Sequence, residues 1–193
     1  MTIWITPETQ GQEFEKKLKE QFESPGAFYG MLLDLKSANL SPTPQNITIK
    51  LVQSHNDANT FARIYCDTFH FSSLLEHTEK WAIAQYKMDN PTCINYIARV
   101  DGVDAGVSTL VIDRNFNEFR AGGFYNACVL PQYRKSGVAT AMACHRIEVS
   151  KTIGLDYLSI ILMSDAMTRG YCTKLGFKDC KTLTPYFIVQ KTG

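Results

Sequence analysis

The sequence has no apolar run long enough to cross a bilayer. Its longest mostly apolar stretches, such as Tyr157 to Met163, fall far short of the ~20 residues a spanning helix needs. It also lacks an N-terminal basic segment followed by an apolar one, so the expectation is a soluble, cytoplasmic protein. There is no excess of charge of one sign: 20 Lys and Arg stand against 19 Asp and Glu, a net charge of +1. That balance argues against nucleic acid or an anionic membrane as partner, and any anion recognition must be local. The six cysteines (Cys66, Cys93, Cys128, Cys144, Cys172, Cys180) are scattered singly, without C-x-x-C or the Cys/His spacing of structural zinc. Buried thiols, no disulfides and no metal are expected. Neither G-x-G-x-x-G nor G-x-x-x-x-G-K-[ST] occurs, so neither a dinucleotide fold nor a P-loop is supported.

What is present suits a packed core. With 193 residues, 45% hydrophobic and 20% charged, the chain can form one domain with a small appendage. Ile3 to Ile5 reads as a short strand, Glu13 to Phe22 as a helix with Phe14, Leu18 and Phe22 on one face, and Phe28 to Leu35 as a second strand. This opening unit is too small to bury its own faces and must pack on something else. Ser37 to Asn46, with two prolines, reads as a linker. The expected boundary therefore separates an appendage, residues 1–45, from a main domain, 46–193.

From Ile47 the order is strand (Ile47 to Val52), helix (Asn56 to Phe69), helix (Ser72 to Met88), then strands at Ile94 to Val100, Val107 to Ile112 and Phe124 to Leu130. Turns at Asp101-Gly102 and around Asn115 to Asn117 suggest antiparallel hairpins. A helix from Gly137 to Thr152, a strand from Tyr157 to Met163, a helix from Ala166 to Leu175 and strand from Thr182 to Gln190 complete an α/β domain with a mixed sheet.

The stretch that organises the chain is Pro131 to Thr140, a tight turn between a strand and a helix. It places Arg134, Lys135, Ser136 and Gly137 where a helix exposes its first N–H groups, a setting that favours a phosphate, although as residues alone the turn fits an ordinary loop-to-helix junction equally well. Gly137 lets backbone approach a ligand, and Ala139 keeps the first helical turn slim.

Arg134-x-x-Gly137-x-Ala139 resembles the R/Q-x-x-G-x-G/A signature of the GNAT superfamily of acyl-CoA-dependent N-acetyltransferases. The resemblance covers about Ile47 to Gln190 and includes the closing Lys174-Leu175-Gly176-Phe177. It implies a mostly antiparallel central sheet with helices on both faces. It also implies a site in which the turn, Arg134, Lys135, Ser136, Gly137, Val138, Ala139 and Thr140, holds the pyrophosphate of acetyl-CoA, while backbone groups of Cys128, Val129 and Leu130 pair with the pantetheine amides. As residues alone, Cys128 to Leu130 fit a plain core strand equally well. The Trp-containing strand, the helix, the Met31 to Leu35 strand and the Pro-rich linker resemble the tail of a degenerate N-terminal GNAT-like half.

By the same resemblance, a Tyr four residues before the Gly of Tyr-x-x-Leu-Gly-Phe protonates the departing thiolate. Cys172 occupies that position here, so it is either the acid or a small buried side chain. Tyr171 lies next to it, about 100° round the helix. Ser164 is placed either to order a water or the pantetheine, or to cap the helix after it. The strand Phe124 to Leu130 has no carboxylate, only Tyr125 and Asn126, which leaves His70 and Glu118 as candidate bases; His55, His77 and His145 are assigned no role. The implied activity is direct transfer of an acetyl group from acetyl-CoA to a small-molecule or peptide amine that enters near His70 and Phe71. A homodimer is compatible with it, and a non-catalytic acyl-CoA-binding or regulatory module is the alternative.

Overall fold

The computed structural model describes residues 2–5, 11, 13–21, 28–113, 120–163 and 166–187, which divide into two compact units, 34–158 and 1–33 with 159–193. The larger unit begins with a 3₁₀ turn (Leu35–Ser37), followed by β3 (Ile47–Leu51), α2 (His55–Phe69), α3 (Leu75–Lys87), β4 (Cys93–Val100), β5 (Val103–Asp113), β6 (Ala121–Val129) and α4 (Val138–Thr152). The smaller contains β1 (Thr2–Ile5), α1 (Glu13–Gln21), β2 (Phe28–Asp34), α5 (Ala166–Lys174) and β8 (Lys178–Phe187); β7 (Tyr157–Met163) carries the chain from one to the other.

In the larger unit β3, β4, β5 and β6 pair antiparallel in chain order. Consecutive residues of β4 show how the helices cover both faces, because successive strand side chains point to opposite sides. Ile97 joins a core with Phe61, Ile64 and Ala82 from α2 and α3; Ala98 joins another with Val138, Ala141 and Met142 from α4. The hairpin between β4 and β5 turns on two residues with positive φ, Asp101 (51°) and Gly102 (81°), the Asp-Gly form that matches strand twist. Val100 and Val103 therefore pair directly, and β5 starts four residues before the expected Val107.

In the smaller unit both β1 and β2 pair antiparallel with β8. The opening strands thus find the partner that their size demanded at the far end of the chain. The sequence reading set residues 1–45 apart, whereas the contacts group 1–33 with 159–193. Arg169 of α5 donates from Nε to Asp179 of β8 at 3.0 Å and lies 4.8 Å over the Tyr29 ring, which fastens helix to strands. None of the six cysteines is joined in a disulfide.

The start of α2 carries a buried carboxylate. Ser54 Oγ accepts the Asp57 N–H at 3.1 Å, and Asp57 accepts from the Gln53 N–H at 3.2 Å and from the Lys50 ammonium. Burial alone would raise the Asp57 pKa; the bonds from Lys50, Gln53 and Ser54 outweigh it and hold the carboxyl below its usual range. A depressed pKa stabilises the fold above the unfolded-state value of ~3.9 and ceases to do so as pH falls through the folded-state value. Asp57→Asn should therefore cost about 1–3 kcal/mol at pH 7. Its melting temperature should also fall less steeply than the wild type's below about pH 4, as measured by pH-dependent thermal denaturation.

Candidate functional site

The strand before the signature turn departs from regular pairing at one point. Thr109 pairs with Tyr125 and Val107 with Cys128, so β6 carries one extra residue and bulges at Asn126, whose φ is 50°. Asn tolerates that left-handed conformation better than most residues. The bulge is tied to the sheet by a chain of polar groups. Asn126 Nδ2 donates to Thr109 Oγ1 at 3.2 Å, and the Thr109 hydroxyl donates to Asn95 Oδ1 at 2.7 Å. From the other face, Arg146 of α4, only 3% exposed, donates to the Thr109 carbonyl at 3.1 Å with its guanidinium 3.8 Å over the Phe124 ring.

Past the bulge the Leu130 N–H donates to the Ala105 carbonyl at 2.9 Å, which continues the pairing with β5. Backbone groups of successive strand residues point to opposite edges, so among Cys128, Val129 and Leu130 only Val129 directs its groups away from β5. Cys128 is 7% exposed and packs in the core under α2, and burial raises its thiol pKa. Its side chain is core, and the strand's outward backbone face narrows to Val129.

The turn itself is a 3₁₀ segment (Pro131–Tyr133) followed by two left-handed residues, Lys135 (φ 64°) and Gly137 (φ 90°), before α4 begins at Val138. Arg134 Nε donates to the Val129 carbonyl at 3.4 Å and the Ser136 hydroxyl to the Tyr133 carbonyl at 2.6 Å, so both brace the turn. Left-handed residues at a helix start curl successive N–H groups toward one side, forming a concavity that suits an anion. No side chain caps α4 at Gly137, and Arg134, Lys135, Ser136 and Ala139 are exposed around it. Val138 is buried beneath, against Ile47 and Met142, and Thr140 is half-buried. The arrangement can hold a phosphate-bearing ligand in the field of the helix N-terminus.

A cavity of about 280 Å³ opens beside the bulge. Phe61 and Tyr65 of α2, Leu74, His77, Thr78 and Trp81 around α3, and Asn126 of β6 line it. Burial raises the pKa of Tyr65 above its ordinary value, so it serves as a neutral phenol. Tyr65, Phe69 and Phe71 continue the aromatic surface outward, with ring centroids 5.0 to 6.3 Å apart. The sequence places Phe61, Tyr65 and Trp81 within two helices and gives His77 no role, because helical spacing alone does not distinguish a core face from a cavity wall.

The candidate proton-transfer residues are dispersed. His70 is exposed, ends α2 with φ 58°, and is not in the cavity lining. Glu118 and Ser164 lie outside the described residues. Cys172 and Tyr171 sit on α5, in the smaller unit, the first 1% exposed and the second half-buried. The Cys172 carbonyl accepts the Phe177 N–H at 3.1 Å and the Thr173 carbonyl accepts the Gly176 N–H at 3.0 Å, with Gly176 at φ 102°. That is a Schellman ending, in which Cys172 and Phe177, both 1% exposed, occupy the positions that commonly carry its apolar contact. The Leu175-Gly176-Phe177 pattern thus has a local structural reason. Among the described residues no group of three His, Cys, Asp or Glu could hold a metal ion, and no helix is long and apolar enough to cross a membrane.

No protein-family profile matches the chain, and no curated protein matches it. Solved structures do. A GCN5-related N-acetyltransferase from Kribbella flavida superposes with TM-score 0.66 at 12% identity over 96% of this chain, which spans 66% of that protein's length. A conserved protein of unknown function from Staphylococcus epidermidis gives 0.73 at 15% over 96% of this chain and 70% of its own. A predicted acetyltransferase from Clostridium acetobutylicum, solved with acetyl-CoA, gives 0.57 at 13% over 69% of this chain and 91% of its own. Together with the mostly antiparallel sheet between helices and the turn at the start of α4, these likenesses show that the chain has the fold of the GCN5-related N-acetyltransferases.

Proposed function

We propose that this protein binds acetyl-CoA, or a close acyl-CoA, and transfers the acyl group directly to an amine. One observation carries the reading: the basic turn with left-handed residues at Lys135 and Gly137 opens α4 immediately after a strand whose Val129 directs its backbone away from β5. The turn's N–H groups and the Arg134 and Lys135 charges would hold the pyrophosphate, and Val129 would pair with the pantetheine arm.

In the transfer the amine lone pair attacks the thioester carbonyl. A C–N bond forms, the C–S bond breaks, and the proton lost by nitrogen ends on the sulfur, giving amide and CoA thiol. Holding both reactants against each other supplies much of the acceleration. Cys172 remains the candidate acid, and its burial in the Schellman ending favours a packing role. Cys172→Ala should therefore lower the melting temperature and reduce kcat by less than about tenfold; a loss in the 10²–10⁴ range typical of a missing proton donor would assign it that role instead.

The decisive assay is thiol release from acetyl-CoA with and without amines, read together with the mass of the acylated product. Amine-dependent release supports a transferase. A chain that melts higher with acetyl-CoA yet releases no thiol with any amine would be the acyl-CoA-binding module that the exchange of the usual tyrosine for Cys172 also suggests.

A further inference from the structure

The chemistry of the cavity beside β6 restricts the acceptor. Its lining is mainly aromatic and aliphatic, and among the described residues it includes no Asp or Glu. None of the four carboxylates on the same helices lines it: Asp57 pairs with Lys50 at the start of α2, Asp67 is exposed, Glu76 pairs with Lys80 on the outside of α3, and Glu79 is half-buried on α3 outside the lining. Burying an ammonium without a counter-charge is unfavourable, so each further cationic group on a ligand would weaken its binding here. The volume, about 280 Å³, is room for an aromatic ring, and the cavity is open to solvent on one side rather than enclosed.

One polar group is aimed with a definite sense. The Thr109 hydroxyl has a single proton, which goes to Asn95 Oδ1; its oxygen therefore accepts from Asn126 Nδ2. This turns the Asn126 NH₂ toward the sheet and leaves Oδ1, on a residue that lines the cavity, as the amide atom able to accept a hydrogen bond. The bulge stands three residues before Val129, about 10 Å along the strand, so an acyl arm running back from the turn along β6 approaches this point.

We infer that the acceptor is a monoamine on an uncharged aromatic body, its ring between Phe61, Tyr65, Leu74 and Trp81 and its nitrogen donating to Asn126 Oδ1. This rests on the acyl-transfer reading and names its substrate class. An apolar cavity also favours the neutral form of the amine, the form that attacks, which lessens the need for a carboxylate base.

The test compares 2-phenylethylamine with spermidine and kanamycin in acetyl-CoA thiol release, using the wild type and Leu74→Glu, a substitution at a rim position that is 46% exposed. The expected kcat/KM for 2-phenylethylamine exceeds that for either polycation by about 100-fold or more. Leu74→Glu should lower it about tenfold while leaving the melting shift by acetyl-CoA unchanged. Preference for a polycation, or equal use of all three, with the acetyl-CoA shift intact would overturn the inference and leave the acyl-CoA reading standing. With no acetyl-CoA shift the acyl-transfer reading fails. In that case, or if no amine is turned over, calorimetry of the amines alone decides: stronger binding of 2-phenylethylamine that Leu74→Glu removes supports the cavity assignment, and stronger binding of spermidine overturns it.

Discussion

Gly137→Glu should abolish the stabilisation of this chain by acetyl-CoA. At a ligand concentration of about 100 Kd the wild type should gain about 2.7 kcal/mol, a rise of roughly 5–10 °C in Tm for a chain this size. The variant should gain none. Two physical effects act together at this residue. Its φ of 90° lies where any L side chain is strained, and a carboxylate would stand at the mouth of the concavity that is proposed to hold a pyrophosphate. Space alone would not be the obstacle, since a Cβ here would meet Pro44 Cγ at an ordinary 3.5 Å. Gly137→Ala separates the two contributions: it should carry the strain, about 1–2 kcal/mol, while retaining a ligand-induced shift. Paired melting curves of the three proteins give the result.

Gly106→Ala should be among the most damaging single-methyl additions. An added Cβ would lie 2.6 Å from the Cys128 carbonyl oxygen and 3.3 Å from Val129 Cα, and both obstacles are backbone of β6. A flexible side chain could swing aside, but a paired strand cannot without breaking its ladder. Overpacking of this kind costs about 1–3 kcal/mol, or roughly 2–12 °C in Tm. Gly106 pairs with Val129, so acetyl-CoA affinity should fall with stability. Gly170→Ala is the control, because its Cβ would meet nothing within 4 Å and it lies inside α5. That change should stabilise by about 0.5–1 kcal/mol through helix propensity.

Most elements were legible in the sequence because periodicity and breakers act locally. Tyr157 to Met163 is a strand over the expected residues, and α4 begins one residue after the expected Gly137, which caps it instead. Long-range pairing was less legible. Nothing local in Ile3 to Ile5 says that its partner is Thr184 to Tyr186, almost the whole chain away. The turn could be read because its residues are contiguous and its glycine has a backbone reason. The cavity could not, because Phe61, Leu74, Trp81 and Asn126 come from separate elements and each satisfies an ordinary core or loop pattern. The bulge that orients Asn126 depends on how β5 and β6 pair, which no residue of either strand announces.

The most direct test of the account is calorimetric titration of the wild-type chain with acetyl-CoA. The account predicts saturable binding at one site per chain, lost in Gly137→Glu. The absence of any binding up to millimolar acetyl-CoA, by a folded wild-type protein, would contradict it.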